Sequence, residues 1–132
     1  MSQENVEVVR SLYAMWDAAD FDLIGELLDA DVVASPPEGW PESGPWHGRA
    51  EVLAEMRSVR ANFADQRMLI DQIEANDECV VTRHRVVARG LRSGLDAEFE
   101  NSGAFRLDAG KIVEARFYWD HAEALRAVGL EE

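Results

Sequence analysis

The feature that most constrains this chain is a change of hydrophobic period near Gln66. Before it, apolar residues recur every three to four positions, as on one face of a helix; after it they alternate, as on one face of a strand. A chain of 132 residues with one such switch fits a single domain over residues 1–132, in which helices are followed by a sheet that needs them as a cover.

The first stripe is Val6, Val9, Tyr13 and Trp16, predicting a helix over residues 4–18 with Ser2 available as a cap. Asp20 then precedes Phe21, Leu23, Ile24, Leu27 and Leu28, a second helix expected to run out near Asp31. A short strand is expected at Val32–Ala34. The stretch from Ser35 to Gly48 holds all four prolines and two tryptophans and reads as a long loop, of the kind that more often serves as a lid than as a plain connector. A third helix, from about Arg49 to Phe63, gathers Val52, Leu53, Met56, Val59 and Phe63 on one face.

Beyond Gln66, strands are predicted near 67–75, 79–89, 97–107 and 111–119, separated by Asn76-Asp77, Arg92-Ser93-Gly94 and Asp108-Ala109-Gly110. Asp120 and Glu123 have the spacing of a capping box, opening a last helix that ends at Gly129. The fold class expected is α+β: a cone-shaped, curved antiparallel sheet packed on three N-terminal helices, with a short C-terminal helix.

Charge narrows the partners. Thirteen basic against twenty-six acidic residues leave a net charge of −13, which repels phosphate backbones and anionic lipid, so neither nucleic acid nor a membrane surface is an expected partner. No apolar run approaches a membrane span, and the opening Met-Ser-Gln-Glu-Asn does not read as a signal peptide. One cysteine, Cys79, can form no internal disulfide, so a soluble protein of the cytoplasm is the expectation. His47, His84 and His121 are too dispersed for a metal site, no glycine-rich phosphate loop follows a strand, and neither metal nor cofactor is expected.

Several segments carry a family resemblance: Asp20-Phe21-Asp22-Leu23-Ile24 running into Leu27-Leu28-Asp29-Ala30-Asp31-Val32, then Trp46-His47-Gly48-Arg49-Ala50-Glu51-Val52, then Gly110-Lys111-Ile112-Val113-Glu114-Ala115-Arg116-Phe117-Tyr118. With the order of elements, these resemble the SnoaL-like proteins of the nuclear transport factor 2-like superfamily across nearly the whole chain. The resemblance implies a cone that binds a small hydrophobic molecule, and homodimers packed sheet against sheet. It also implies a family that includes ketosteroid isomerase, limonene epoxide hydrolase, scytalone dehydratase and polyketide cyclases.

The best-known reactions of that family each lack a residue here. The isomerase's tyrosine falls on Leu12, beside Tyr13, and its carboxylate base falls near Pro36, in Ala34-Ser35-Pro36-Pro37. The epoxide hydrolase's Arg needs an acid two residues on, and Arg83 is followed by Arg85. On the last strand Val113, Ala115, Phe117 and Trp119 share one face and Glu114, Arg116, Tyr118 and Asp120 the other; an apolar interior leaves no carboxylate reaching inward from it.

What remains is polar groups on apolar faces. Val80, Thr82, His84 and Val86 share one face of the second meander strand and are placed inward, with Phe99, Asn101, Gly103 and Phe105 inward on the next. His84, Tyr13 and Asn101 are therefore the candidate catalytic groups, histidine being the side chain most easily tuned to act near neutral pH. The bland readings are a structural histidine, a stripe tyrosine in the core and a hydrogen-bonded core amide. Trp16, Trp40, Trp46, His47, Phe99, Phe105, Phe117 and Trp119 are the candidate ligand contacts. The reading is a lyase or isomerase using acid–base chemistry on a hydrophobic carbonyl compound, or a non-catalytic ligand-binding or regulatory domain, or a protein-binding dimer module.

Overall fold

In the computed structural model, which describes residues 2–40, 44–63, 65–89 and 96–130, the chain runs α1 (Ser2–Asp17), α2 (Phe21–Leu27), β1 (Leu28–Ser35), β2 (Trp46–His47), α3 (Arg49–Ala61), β3 (Arg67–Ala75), β4 (Cys79–Arg89), β5 (Asp96–Asp108), β6 (Lys111–Tyr118) and α4 (His121–Ala127). The expected Arg92-Ser93-Gly94 turn lies outside the described residues.

The sheet is one curved surface of six strands in the order β2-β1-β6-β5-β4-β3. It is mixed rather than wholly antiparallel, because β1 runs parallel to β6, with Ala34 beside Ala115 and Ser35 beside Arg116. This pairing also moves the expected boundary between α2 and β1. Leu28 takes extended angles, φ −97 and ψ 136, and pairs with Ile112 instead of continuing the helix to Asp31. The apolar periodicity of Leu27-Leu28 suits either element; the ladder bonds to β6 decide for the strand. Trp46 and His47, expected in the loop, form the short strand β2 against Ala34 and Val33.

Local chemistry agrees with its role elsewhere. The Asp20 carboxylate accepts from the Leu23 N–H at 3.2 Å, and the Asp120 carboxylate from the Ala122 N–H at 2.9 Å, each capping the helix that follows. The two-residue hairpin between β5 and β6 puts both Ala109 (φ 51) and Gly110 (φ 80) in the left-handed region.

The three N-terminal helices line the concave face, where Val9, Leu12, Ile24, Val32, Val80, Phe105 and Ile112 form the core. The fourth helix packs on the convex face, burying Val81 and Ala104 against Ala124. Those two residues alternate with the inward set, so β4 and β5 are buried on both faces near α4. On the rest of that convex face Arg83 pairs with Glu100 at 3.0 Å and Arg85 with Asp71 at 2.9 Å.

Candidate functional site

Tyr13 stands on the buried stripe of α1, and its hydroxyl reaches across to β4. There it lies 2.7 Å from Thr82 Oγ1 and 2.8 Å from His84 Nδ1, with all three residues buried. The strand period puts Thr82 and His84 on the same face, two residues apart, which is why one phenol can meet both.

The Gly103 N–H donates to Thr82 Oγ1 at 3.2 Å. If Thr82 donates on to Tyr13, and Tyr13 to His84 Nδ1, every link is short. In the opposite direction the Thr82 hydroxyl is left with the Gly103 carbonyl, at 3.5 Å, as its acceptor. The first direction wins, so the Nδ1 of His84 accepts and its proton sits on Nε2. Nδ1 being engaged by Tyr13, the ring offers the cavity its Nε2–H edge. Gly103 is required for this packing: a Cβ there would lie 2.7 Å from Phe105 Cε2 and 3.2 Å from Thr82 Oγ1.

Burial sets the protonation states. It drives the His84 pKa down to about 4, against a weaker opposing pull from the Asp71 carboxylate, and pushes the Tyr13 hydroxyl well above its ordinary value, although the bond to Thr82 opposes the shift. Both are neutral at pH 7. A neutral imidazole of this kind is a weak base and a serviceable hydrogen-bond donor.

These groups open on a cavity of about 210 Å³ between the helices and the concave face of the sheet. Of the candidates named from the sequence, Tyr13, Trp16, Trp40, Trp46, His84, Phe99, Asn101, Phe105 and Phe117 all line it. Asn101 faces His84 directly across the β4–β5 ladder. Two candidates do not line it. His47 is exposed, its backbone N–H bonded to the Glu51 carboxylate, because pairing Trp46 with Ala34 turns the next side chain away. Trp119 is 47% exposed and braces the mouth from outside: its indole N–H donates to the Glu38 carbonyl at 2.8 Å, and its ring packs against Trp40 and Phe99.

The last strand also departs from simple alternation. A bulge at Val113 of β6, opposite the Arg106–Leu107 step of β5, leaves Ile112 and Ala115 both facing the cavity, where Val113 was expected with Ala115. No carboxylate enters from β6, as expected; Glu114 is held by Arg106 and Arg116. One enters from α3 instead. Glu55 lines the cavity, three residues after Val52 and four before Val59, and that spacing alone could have placed it there. Gln66 was also missed, since nothing in a residue between two elements signals inward orientation.

Among the described residues, three buried polar atoms in the lining make no hydrogen bond with the protein: Trp16 Nε1, Gln66 Oε1 and Asn101 Oδ1. On the convex face a different cluster sits under α4, where Ser102 Oγ lies 2.8 Å from His121 Nδ1 and Glu74 3.7 Å from His121 Nε2. The residue types are those of a hydrolase triad, yet Ser102 is 1% exposed and no substrate reaches it, so this is a latch for α4. Among the described residues no group of three or more His, Cys, Asp or Glu side chains could hold a metal ion, and no helix is long and apolar enough to cross a membrane.

A model of the SnoaL-like domain matches residues 9–115. Among solved structures, the chain is similar to a nuclear transport factor 2-like protein of unknown function from Burkholderia pseudomallei, at 26% identity over 96% of this chain and 97% of that one, with a TM-score of 0.80. It shares its fold with a Mycobacterium tuberculosis protein in complex with estradiol-17beta-hemisuccinate, at 18% identity over 91% and 95% of the chains and a TM-score of 0.78. It also shares it with an LEH-like epoxide hydrolase from the same organism, at 21% identity over 96% and 92% and a TM-score of 0.75. Among curated proteins, none matches this chain.

Proposed function

The chain belongs to the SnoaL-like domain family, and from that premise we propose that it is a single-domain pocket protein for a small, largely apolar carbonyl compound, on which it acts as a lyase or isomerase. The observation that carries this reading is the bond chain through Thr82, Tyr13 and His84, which presents a donor inside a largely apolar cavity. A carbonyl oxygen is the group such a donor holds. Negative charge developing on that oxygen would be stabilised by the Nε2–H of His84, with the Asn101 amide beside it. Tyr13 acts through His84 as a positioning residue, since its own hydroxyl is engaged. Among the described residues Glu55 is the carboxylate of the lining, and the acid–base reading assigns it the substrate proton.

Size limits the compound. A cavity of about 150 Å³ takes benzene, so 210 Å³ suits a molecule of one or two rings. The test uses 1-tetralone in deuterated water, following loss of its α-hydrogen signals by NMR. Exchange above the buffer rate, lowered at least tenfold by His84→Gln and by Tyr13→Phe, supports the reading. Binding without exchange would sink the acid–base part and leave a ligand-binding domain, which the low basicity of His84 favours as second reading.

The ion-paired convex face of β3, β4 and β5 is the surface on which two copies would pack as a homodimer, in a cytoplasmic setting that suits the free, buried thiol of Cys79. Sedimentation equilibrium at micromolar protein decides between one copy and two.

A further inference from the structure

The unpartnered atoms of the lining specify more of the ligand than its carbonyl. An indole N–H and an amide oxygen buried without a partner each cost free energy that a bound molecule can recover, and native proteins rarely leave them so. Trp16 is 8% exposed and Gln66 5%, and both face the cavity.

They belong to one end of it. Trp16 follows Tyr13 by three residues on α1, about 4.5 Å further along the helix axis. Gln66 stands just before β3, and that junction is tied to the end of α1 by the Met68 N–H, which donates to the Asp17 carboxylate at 2.9 Å. Within β3 it is Ile70 that lies opposite His84 and Met68 opposite Val86, so Gln66 is displaced from His84 in the same direction as Trp16. The polar groups therefore form two sets: His84 with Asn101, and Trp16 with Gln66.

The chemistry of the second set is selective. Trp16 can only donate, and Gln66 Oε1 can only accept. An ether or ketone would satisfy Trp16 alone. A protonated amine, which can only donate, would satisfy Gln66 alone. A carboxylate would meet Gln66 Oε1, itself an acceptor, with no Lys or Arg among the described residues of the lining to offset its charge. A hydroxyl both accepts and donates, and is the smallest group that serves both partners.

Resting on the reading of the cavity as a carbonyl-compound site, we infer that Trp16 and Gln66 form a second polar anchor and that the ligand is an uncharged hydroxy-carbonyl compound, its hydroxyl at the end remote from the carbonyl. The inference separates the two ends of the site by function. His84 holds the oxygen where charge develops, and the second anchor fixes which way round the molecule enters.

The test compares 1-tetralone with 6-hydroxy-1-tetralone by isothermal titration against the native protein, Trp16→Phe and Gln66→Met. The hydroxy ketone is expected to bind native protein about tenfold more tightly, equivalent to about 1.4 kcal/mol. That ratio should fall to near one in each variant, whatever happens to the absolute affinities. If neither ketone binds, the cavity reading fails and the anchor with it. If 1-tetralone binds and the hydroxyl adds nothing, the anchor is overturned while the cavity reading stands. A tenfold ratio that survives either substitution overturns the paired anchor.

Discussion

Acidification should destabilise this fold through His84 over a defined range of pH. Burial holds its pKa at about 4 in the folded chain against an ordinary value of 6.5, so between those values the unfolded chain binds a proton that the folded chain refuses. Stability from this group is complete above pH 6.5 and is lost as pH falls toward 4. At about 1.4 kcal/mol per pH unit, the full loss is about 3 kcal/mol, of which about 2 kcal/mol is gone by pH 5. That is a large share of the 5–15 kcal/mol that about this size of domain commands. The assay is a difference, so that only the contribution of His84 is read. Urea unfolding of native protein and of His84→Gln is followed from pH 8 to pH 5, and the gap between the two free energies is plotted. Glutamine keeps a polar partner for Tyr13 and does not titrate. The expected gap changes by about 2 kcal/mol against the native protein over that range. Parallel curves would refute the reasoning, as would ring proton signals of His84 that titrate near its ordinary value in the folded protein.

Two further outcomes follow from backbone geometry. Gly103→Ala should cost about 1–3 kcal/mol in urea unfolding, because its Cβ would meet the rigid ring of Phe105 at 2.7 Å, and it should weaken 1-tetralone binding as Thr82 and Phe105 shift. Ala109→Asn should raise stability by about 0.5–1 kcal/mol, since Ala109 sits at φ 51 in a two-residue hairpin that asparagine tolerates better; an unchanged or lower midpoint would contradict this.

Much of the fold is legible in the sequence because its signals are local. The stripe from Val6 to Trp16, the caps at Asp20 and Asp120, and the alternation along β4 and β5 each depend on residues within one or two turns of the chain. The same alternation placed Thr82, His84, Asn101 and Phe105 inward. Trp119 and His47 were harder, because each stands at the end of a strand, where alternation no longer fixes direction and a neighbouring element does. Val113 and Ile112 exchanged places for a related reason: a bulge shifts the register by one residue, and one residue turns a side chain to the other face.

By itself, then, the sequence determined the element order, the two hydrophobic periods and the residue types available to an inward face. Only the tertiary structure decided the parallel partnership of β1 with β6, the early end of α2, and the unpartnered atoms of Trp16, Gln66 and Asn101. Periodicity reports how a segment meets water and core, and it is written within that segment. Hydrogen-bond satisfaction is an account kept between segments far apart in the chain, and it closes only when they are brought together.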